Sequence, residues 1–181
     1  MIIITGGAGL IGSCLQAALA ARGLNTVIVD WLGTEGKWRN IAAQPPTRLV
    51  TPDKLPAFLE TLPGAQAVFH MGAISDTTAR DGDLVWRTNV GLSQDLWDWC
   101  ARTQTRFIYA SSAATYGGAD RPQLFSADPG RLDPLTPPNL YGWSKHVFDR
   151  QAVRAAQTAT PCPPPWAGPQ FFNVFRPHQS H

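Results

Sequence analysis

The sequence predicts an α/β fold, a doubly wound parallel sheet with helices on both of its faces. Short apolar runs that suit buried strands recur along the chain, helical segments alternate with these runs, and a glycine-rich turn follows the first of them. Where strands and helices alternate in this way, the strands run parallel and the crossovers between them are right-handed.

Each element is predicted from its local composition. Met1–Thr5 and Thr26–Asp30 are short apolar runs of the kind found in strands buried on both faces. The segment between them, Leu10–Arg22, is rich in Ala, Leu and Gln and is followed by Gly23, which predicts a helix and its end. Further strands are expected over Arg48–Val50, Ala67–His70 and Arg106–Ser111, and further helices over Pro52–Leu62, Leu84–Thr103 and Tyr141–Ala159.

The segment after the last predicted helix departs from this pattern. Pro161–Pro169 is rich in proline and stands where a sixth central strand would begin. Proline cannot donate a hydrogen bond to a strand ladder, which argues against a central strand here. Only Gln170–Phe175 looks extended, so residues 161–181 are expected to form a disturbed last strand.

The turn after the first strand has the spacing of a dinucleotide-binding fingerprint. Gly6 permits a tight turn, Gly9 lets the backbone approach a pyrophosphate, and Gly12 lets the next helix pack on the strand. The first amides of that helix, at its positive dipole end, are then available to the phosphates.

Charged residues after the second strand bear on the choice of cofactor. Asp30 lies about 20 residues after the glycines, where a carboxylate can hold the ribose 2′-hydroxyl of NAD. Lys37 and Arg39 follow closely and can instead neutralise the 2′-phosphate of NADP. A pair of exposed loop charges accounts for them equally well, so both interpretations stay open.

Tyr141 and Lys145 indicate proton-transfer chemistry. Four residues apart on a helix, they share one face. A lysine beside a tyrosine favours the phenolate, because the positive charge stabilises the anion, and such a tyrosine can exchange a proton with a substrate hydroxyl. Downstream of a dinucleotide fingerprint and a Ser-Ser-Ala strand end, the pair indicates hydride transfer at a sugar or alcohol carbon.

Composition restricts the class of protein. With 181 residues, 44% hydrophobic and 15% charged, the chain suffices for one domain with a substantial core, over residues 1–181. A net charge of +2 argues against a nucleic-acid or membrane-surface role, and no segment is apolar for long enough to cross a membrane. The cysteines Cys14, Cys100 and Cys162 have no metal-binding spacing, which favours no metal and a reduced, cytoplasmic compartment.

Several stretches carry a family resemblance, namely Met1–Gly9, His70–Thr78, Ala110–Gly118, Tyr141–Lys145 and Phe172–Phe175. They resemble the extended short-chain dehydrogenase/reductase superfamily, whose cofactor domain is a Rossmann fold. Within it they are most similar to the ADP-L-glycero-D-manno-heptose 6-epimerases, and the resemblance extends from Met1 to His181. The loop after His70 and the run from Ala110 separate this family from the 4-epimerases better than the glycines do.

The resemblance implies roles for individual residues. Catalytic roles fall to Ser112, Tyr141 and Lys145, and substrate contacts to Ser112 and Asn173. Contacts with NADP, or alternatively NAD, fall to Gly6, Gly9, Leu10, Ile11, Gly12, Asp30, Lys37, Met71, Gly72, Ala73, Ile74, Ser75, Asn89 and Lys145. Other interpretations stay open from the residues alone: Ser112 can cap a strand end and Asn89 can be a satisfied helix residue. His70 is expected to be a core histidine.

The resemblance also implies a reaction. In this family, NADP takes hydride from C6″ of a nucleotide-linked heptose and returns it to the other face of a transient ketone. Tyr141 is expected to be one proton-transfer group, whereas the family's second, a lysine just after the histidine that His181 matches, is not in this sequence. Arg176 replaces a family glycine. We therefore expect a truncated substrate region, no epimerase activity in these 181 residues, and a homo-oligomer at full length.

Two other interpretations stay open. One is a different nucleotide-sugar epimerase or a dehydratase of the same superfamily. A dehydratase would normally carry an acidic pair after the catalytic serine, where this chain has Ala113 and Ala114. The other is a non-catalytic dinucleotide-binding remnant, which the gene sequence beyond His181 would distinguish from an enzyme.

Overall fold

A parallel sheet of six strands forms the centre of the computed structural model, which describes residues 1–117, 132 and 135–174. In chain order the strands are β1 (Ile2–Thr5), β2 (Thr26–Val29), β3 (Arg48–Val50), β4 (Ala67–His70), β5 (Arg106–Tyr109), β6 (Ser111–Ser112), β7 (Trp166–Ala167) and β8 (Gln170–Phe171). The main sheet has the order β3-β2-β1-β4-β5-β7, and β6 pairs with β8 separately. All of these pairings are parallel, so the predicted doubly wound parallel sheet is confirmed.

The helices connect the strands as the sequence predicts. They are α1 (Leu10–Ala20), α2 (Leu55–Glu60), α3 (Gly82–Val85), α4 (Leu92–Arg102) and α5 (Leu140–Gln157). A π-helical segment, Trp86–Gly91, joins α3 to α4, so the long helix predicted in this region is continuous but irregular in the middle. Shorter 3₁₀ segments lie at Lys37–Ile41, Pro52–Lys54 and Ala113–Tyr116.

The two faces of the sheet are buried in separate cores, which explains why three consecutive residues of β1, Ile2 to Ile4, are apolar. Ile3 packs with Phe107 in the larger core, to which α2, α4 and α5 also contribute. Ile2 and Ile4 point the other way and pack with Leu19 of α1. Successive side chains of a strand alternate between faces, so a strand covered on both sides needs apolar residues at every position.

A short sixth strand lies in the segment that the sequence predicts to be disturbed. β7 lies inside the proline-rich segment and pairs with Phe107 and Ile108 of β5 at the edge of the sheet. An edge strand tolerates nearby prolines because only one of its sides is paired. Pro165 takes part as an acceptor, since the Phe107 N–H donates to its carbonyl at 3.1 Å. Gln170–Phe171, the first part of the segment predicted to be extended, forms β8 and pairs with β6.

Some expectations lie outside the described residues. These are the extended conformation as far as Phe175, the effect of Arg176 and the match at His181, together with most of the proline-rich loop Ala119–Pro138. Within the part of the chain that the structure describes, no helix combines the length and the apolar character needed to cross a membrane.

The strand order locates the place where a ligand would bind. β2 and β3 lie on one side of β1, whereas β4, β5 and β7 lie on the other. In open α/β sheets, ligands bind beyond the carboxyl ends of the strands, at the point where the order reverses. In this protein that point lies between β1 and β4.

Candidate active site

A cavity of about 430 Å³ lies at this reversal point. Its walls come from the glycine turn, the segment after β2, the loop after β4, the end of β5 and one face of α5. The lining residues are Gly6, Gly9, Leu10, Ile11, Gly12, Asp30, Lys37, Met71, Gly72, Ala73, Ser75, Ala110, Ser111, Tyr141, Lys145 and Phe171. Its volume falls in the range of small-molecule and cofactor sites.

Two glycines of the turn have no room for a side chain. Gly6 has a φ of +65°, and a Cβ atom there would lie 2.5 Å from the Cα of Gly72 in the loop after β4. A Cβ atom on Gly12 would overlap the carbonyl oxygen of Gly6. The glycines therefore let the turn, the first residues of α1 and the loop after β4 approach closely.

The N-terminus of α1 presents backbone donors to the cavity. Gly9 is the N-cap residue, and no side chain caps the helix. The first N–H groups of a helix have no partner within it, and here they belong to Leu10, Ile11 and Gly12, which all line the cavity. The first turn carries no acidic side chain that would repel an anion. This end of the cavity is therefore suited to phosphate groups.

The carboxylate at the end of β2 orders the next part of the wall. Asp30 is buried, and its Oδ2 accepts the N–H of Ala8 at 2.9 Å. Its Oδ1 accepts from the Nζ of Lys37 at 2.5 Å, which holds the ammonium at the cavity. The guanidinium of Arg39 lies instead over the ring of Trp38, 5.3 Å from its centroid. Of the two cations predicted near the ribose, only Lys37 lines the cavity.

The loop after β4 is fixed by buried polar groups. The N–H of Met71 donates to the carbonyl of Thr5 at 3.1 Å. Further along, the Ile74 N–H donates to Oδ1 of Asn89 at 2.8 Å, and Nδ2 of Asn89 donates to the Ile74 carbonyl at 3.0 Å. Asn89 is fully buried in the π-helical segment and does not line the cavity. Asn89 thus links the loop after β4 to the π-helical segment, and its cofactor contact stays a prediction.

His70 is a core histidine, as the sequence predicts. Its ring nitrogens form hydrogen bonds with Thr5 Oγ1 at 2.6 Å and with Ser93 Oγ at 2.9 Å, and its ring stacks on Phe107. Burial, together with the positive charge of Lys145, lowers the pKa of His70 to about 3. The imidazole is therefore neutral at pH 7. Its two hydrogen bonds connect β4 to β1 and to α4.

The first two turns of α5 carry Tyr141 and Lys145 to the cavity wall. Asn139 caps the helix by accepting the N–H of Gly142 at 2.8 Å. A Cβ atom on Gly142 would lie 2.7 Å from the carbonyl oxygen of Ala114, so glycine allows the helix to start directly against the 3₁₀ segment. The predicted pair therefore shares one face of one helix and one cavity.

The surroundings of Lys145 modify its acidity. The side chain is buried, and burial lowers the pKa of Lys145 to about 8, while the negative charge of Asp149 opposes this change. The amine is consequently protonated at pH 7 and loses its proton at mildly alkaline pH.

Besides Asn89, three other predicted site residues do not line the cavity. Ser112 Oγ accepts the N–H of Ala114 at 3.2 Å and caps the 3₁₀ segment, while its neighbour Ser111 lines the cavity. Ile74 lies at the far side of its loop and lines an adjoining cavity. Asn173 is exposed just after β8. The catalytic role of Ser112 and the substrate contact of Asn173 stay predictions.

The structure adds residues that the sequence did not single out. Ala110, Ser111 and Phe171 line the main cavity. The adjoining cavity, of about 810 Å³, shares Asp30 and Lys37 with it and is also lined by Trp31, Pro52, Asp53, Arg87 and Thr88. The sequence did contain a signal for Trp31 and Asp53, because both follow closely on the carboxyl ends of predicted strands.

Comparison with known proteins assigns the family. Residues 2–179 match the model of the family described as the NAD dependent epimerase/dehydratase family, and the chain therefore belongs to that family. It is 40% identical over 185 residues to the ADP-L-glycero-D-manno-heptose-6-epimerase of Fusobacterium nucleatum, covering 100% of the chain and 54% of that protein. A protein of the same name from Nitratidesulfovibrio vulgaris is 40% identical over 188 residues, covering 100% and 55%. The chain thus spans about half the length of these relatives.

Solved structures show the same relationship. The ADP-L-glycero-D-manno-heptose-6-epimerase of Helicobacter pylori matches with a TM-score of 0.72 and 29% identity, over 84% of this chain and 50% of that one. The UDP-glucose 4-epimerase of Brucella ovis, solved in complex with NAD, matches with a TM-score of 0.64 and 28% identity, over 87% and 48%. The sequence resemblance to the heptose epimerases is therefore confirmed.

The tight approach at Gly12 predicts the effect of adding one methyl group. Gly12→Ala would place a Cβ atom against the Gly6 carbonyl and should lower the free energy of unfolding by about 1–3 kcal/mol. Gly82→Ala is the matched control, because a Cβ atom there meets nothing within 4 Å, and it should change stability by less than about 0.5 kcal/mol. Urea denaturation measures both, and equal losses would contradict the packing described for the turn.

Proposed function

We propose that this chain is the cofactor-binding part of a nucleotide-sugar epimerase that inverts C6″ of an ADP-linked glycero-manno-heptose, with bound NADP and a transient ketone. One observation carries the proposal. The cavity that ends at the open amides of α1 also contains Tyr141 and Lys145, so an anion site and a proton-transfer pair share one space. The identity with the named epimerases supports the choice of sugar.

The residues present fit a nicotinamide dinucleotide. The amides of Leu10 and Ile11 would bind the pyrophosphate, and Asp30 with Lys37 would lie at the adenosine ribose. Lys145 would bind the nicotinamide ribose. When bound, the nicotinamide supplies hydride transfer, accepting a hydride from carbon and returning it.

The contacts of Asp30 support NADP in preference to NAD. Oδ2 is already bonded to Ala8 N–H and Oδ1 to Lys37, so the carboxylate is less available to a ribose hydroxyl. The ammonium of Lys37 is partly exposed at the cavity and can turn to a 2′-phosphate. A lysine binds phosphate as a point charge without needing a fixed geometry.

Tyr141 would move the proton that accompanies each hydride. As a phenolate, its Oη would accept the proton of the C6″ hydroxyl, and as a phenol it would return a proton to the ketone oxygen. Lys145 keeps its positive charge below pH about 8 and so stabilises the phenolate. The C6″ hydroxyl groups of the two epimers point in opposite directions. Tyr141 would reach only one of them, so a second proton-transfer group is required for the other.

A second candidate is dinucleotide binding without catalysis. It is favoured by the position of Ser112, whose hydroxyl caps the 3₁₀ segment, and by Asn173, which lies exposed outside the cavity. In this case the cavity would bind the cofactor, but no substrate would be held against it. Binding and turnover measurements distinguish the two candidates.

We also propose a cytoplasmic protein that forms a homo-oligomer at full length. The adjacent faces of α3 and α5 support the oligomer, because Leu84, Trp86 and Trp143 are about two-fifths exposed there. The rings of Trp86 and Trp143 lie 5.8 Å apart and form one apolar surface. Contiguous exposed apolar surface is typical of protein contacts.

Lys37→Ala should weaken NADP binding selectively. Loss of a charge-assisted contact with phosphate typically costs about 1.5–3 kcal/mol, so the Kd for NADP should rise about tenfold or more while that for NAD changes little. Lys54→Ala is the matched control, since this exposed lysine lines neither cavity. Calorimetric titration with both cofactors measures the effect. Equal affinities in the parent chain, or equal losses for both cofactors, would refute the NADP assignment.

Tyr141→Phe should abolish epimerisation and leave the cofactor bound. The phenyl ring keeps its packing but has no exchangeable proton, and general acid–base groups contribute about 10²–10⁴-fold to rate. The assay uses a chimera in which this chain is continued by the C-terminal half of the Fusobacterium relative, with separation of the C6″ epimers. Tyr116→Phe, at a buried tyrosine outside the cavity wall, is the control and should stay near the parent rate. Near-normal turnover of Tyr141→Phe would remove this residue from the mechanism.

A further inference from the structure

A buried carboxylate lies directly behind the cavity and has no part in the chemistry proposed above. Asp149 is on α5, one turn after Lys145, and only 2% of it is exposed. A buried carboxylate is costly unless its oxygens are hydrogen-bonded and its charge is compensated.

Three side chains donate hydrogen bonds to Asp149. The hydroxyl of Tyr109 donates to Oδ1 at 2.8 Å. The hydroxyl of Ser111 and the amide Nε2 of Gln170 donate to Oδ2 at 2.6 and 3.0 Å. These donors lie on β5, β6 and β8, so one carboxylate fastens α5 to three strands. Since Ser111 also lines the cavity, the network extends to the cavity wall.

The three donors are neutral, and Lys145 lies one turn earlier on α5, where its positive charge lowers the pKa of Asp149. Residues four apart on a helix lie one above the other, and this pair is buried at both positions. Burial raises the pKa of Asp149, while its hydrogen bonds and the charge of Lys145 lower it. Conversely, burial lowers the pKa of Lys145 and the charge of Asp149 raises it.

We propose that Asp149 is a positioning residue, whose buried carboxylate keeps Lys145 in its ammonium form and fixes α5 to β5, β6 and β8. The ammonium is thereby presented to the cavity beside Tyr141. The functional importance of this arrangement rests on the proposed function, in which Lys145 supports the Tyr141 phenolate and binds the nicotinamide ribose.

Other titratable groups lie on the elements packed against this pair. Burial lowers the pKa of His70 on β4 to about 3. Burial, together with the charge of Asp149, raises the pKa values of Tyr109 and Tyr116. Tyr141 shares the face of α5 with Lys145. The negative charge that raises the pKa of Lys145 is that of Asp149.

The expected direction of the pKa change follows from the two opposing influences on Lys145, its burial and the charge of Asp149. In Asp149→Asn the burial of the amine is unchanged but the attraction of the carboxylate is gone, so the pKa of Lys145 falls below its parent value of about 8. The lysine would then be largely neutral at pH 7.5. Asparagine preserves the size of the side chain and can still accept from Tyr109 or Ser111.

The lysine content of the chain permits a direct test by NMR. The chain contains only Lys37, Lys54 and Lys145, so lysine labelled with ¹³C at Cε gives three resonances, and Lys145→Met identifies the one of interest. We expect Asp149→Asn to lower the titration midpoint of Lys145 by about one pH unit or more. Tyr109→Phe is the matched control, because it removes one donor and keeps the charge. It should shift the midpoint by less than about 0.3 unit.

An unchanged Lys145 midpoint in folded Asp149→Asn would overturn the proposal. If circular dichroism shows that this variant does not fold, Gln170→Arg decides instead. A guanidinium at this partly exposed position would compete for Asp149 and add positive charge, so the Lys145 midpoint should again fall, and an unchanged midpoint would refute the proposal.

The dependence on cofactor is tested separately with the same proteins. As the pH rises from 7 to 8.5, the NADP affinity of Asp149→Asn should fall more than that of the parent chain. The affinity of Tyr109→Phe should change with pH as the parent's does. If the parent chain binds no NADP, the proposed function fails while the lysine titration still decides the electrostatic role of Asp149. If the titration shifts but the affinity profile does not, the positioning role is overturned.

Discussion

The close approach of two backbone segments, at Gly6 and Gly72, is the constraint on which the candidate site depends. A side chain at Gly6 would collide with Gly72, and one at Gly12 would collide with the turn itself. Thr5 secures the contact, since its backbone carbonyl and its hydroxyl accept the N–H groups of Met71 and Gly72 at 3.1 and 3.3 Å. The cavity exists because the amide end of α1 and the loop after β4 are held this near to each other.

A continuous set of buried polar contacts extends this constraint to α5. Ser93 Oγ donates to the Asn89 carbonyl at 2.6 Å, and Asn89 Nδ2 donates to Ser144 Oγ at 3.0 Å. Ser144 in turn donates to the carbonyl of Tyr141 at 2.7 Å. Because buried polar groups are costly when unpaired, each contact restricts the next. The irregular π-helical segment places Asn89 where it can bond both the loop after β4 and the first turn of α5.

The sequence predicted the features that depend on local spacing. It did not predict the features that depend on contacts between residues far apart in the chain. The buried strands, the glycine turn and the pairing of Tyr141 with Lys145 follow from period and composition. The edge strand within the prolines does not, since it is defined by pairing with β5, far away in the chain. Likewise, the direction of Arg39 toward Trp38 and the position of Asn89 behind its loop are set by tertiary packing. Asp149 has the same i, i+4 spacing from Lys145 that identified the Tyr141 pair, so the sequence also contains a signal for this residue.

A crystal structure of this chain grown with NADP tests the central claim most directly. We expect the pyrophosphate on the amides of Leu10 and Ile11, the adenosine ribose beside Asp30 and Lys37, and the nicotinamide ribose within hydrogen-bonding distance of Tyr141 and Lys145. A well-ordered dinucleotide bound elsewhere would contradict this assignment, for example in the groove between α4 and α5 that Asp98 and Gln151 line. So would a cofactor whose phosphates make no contact with the N-terminus of α1.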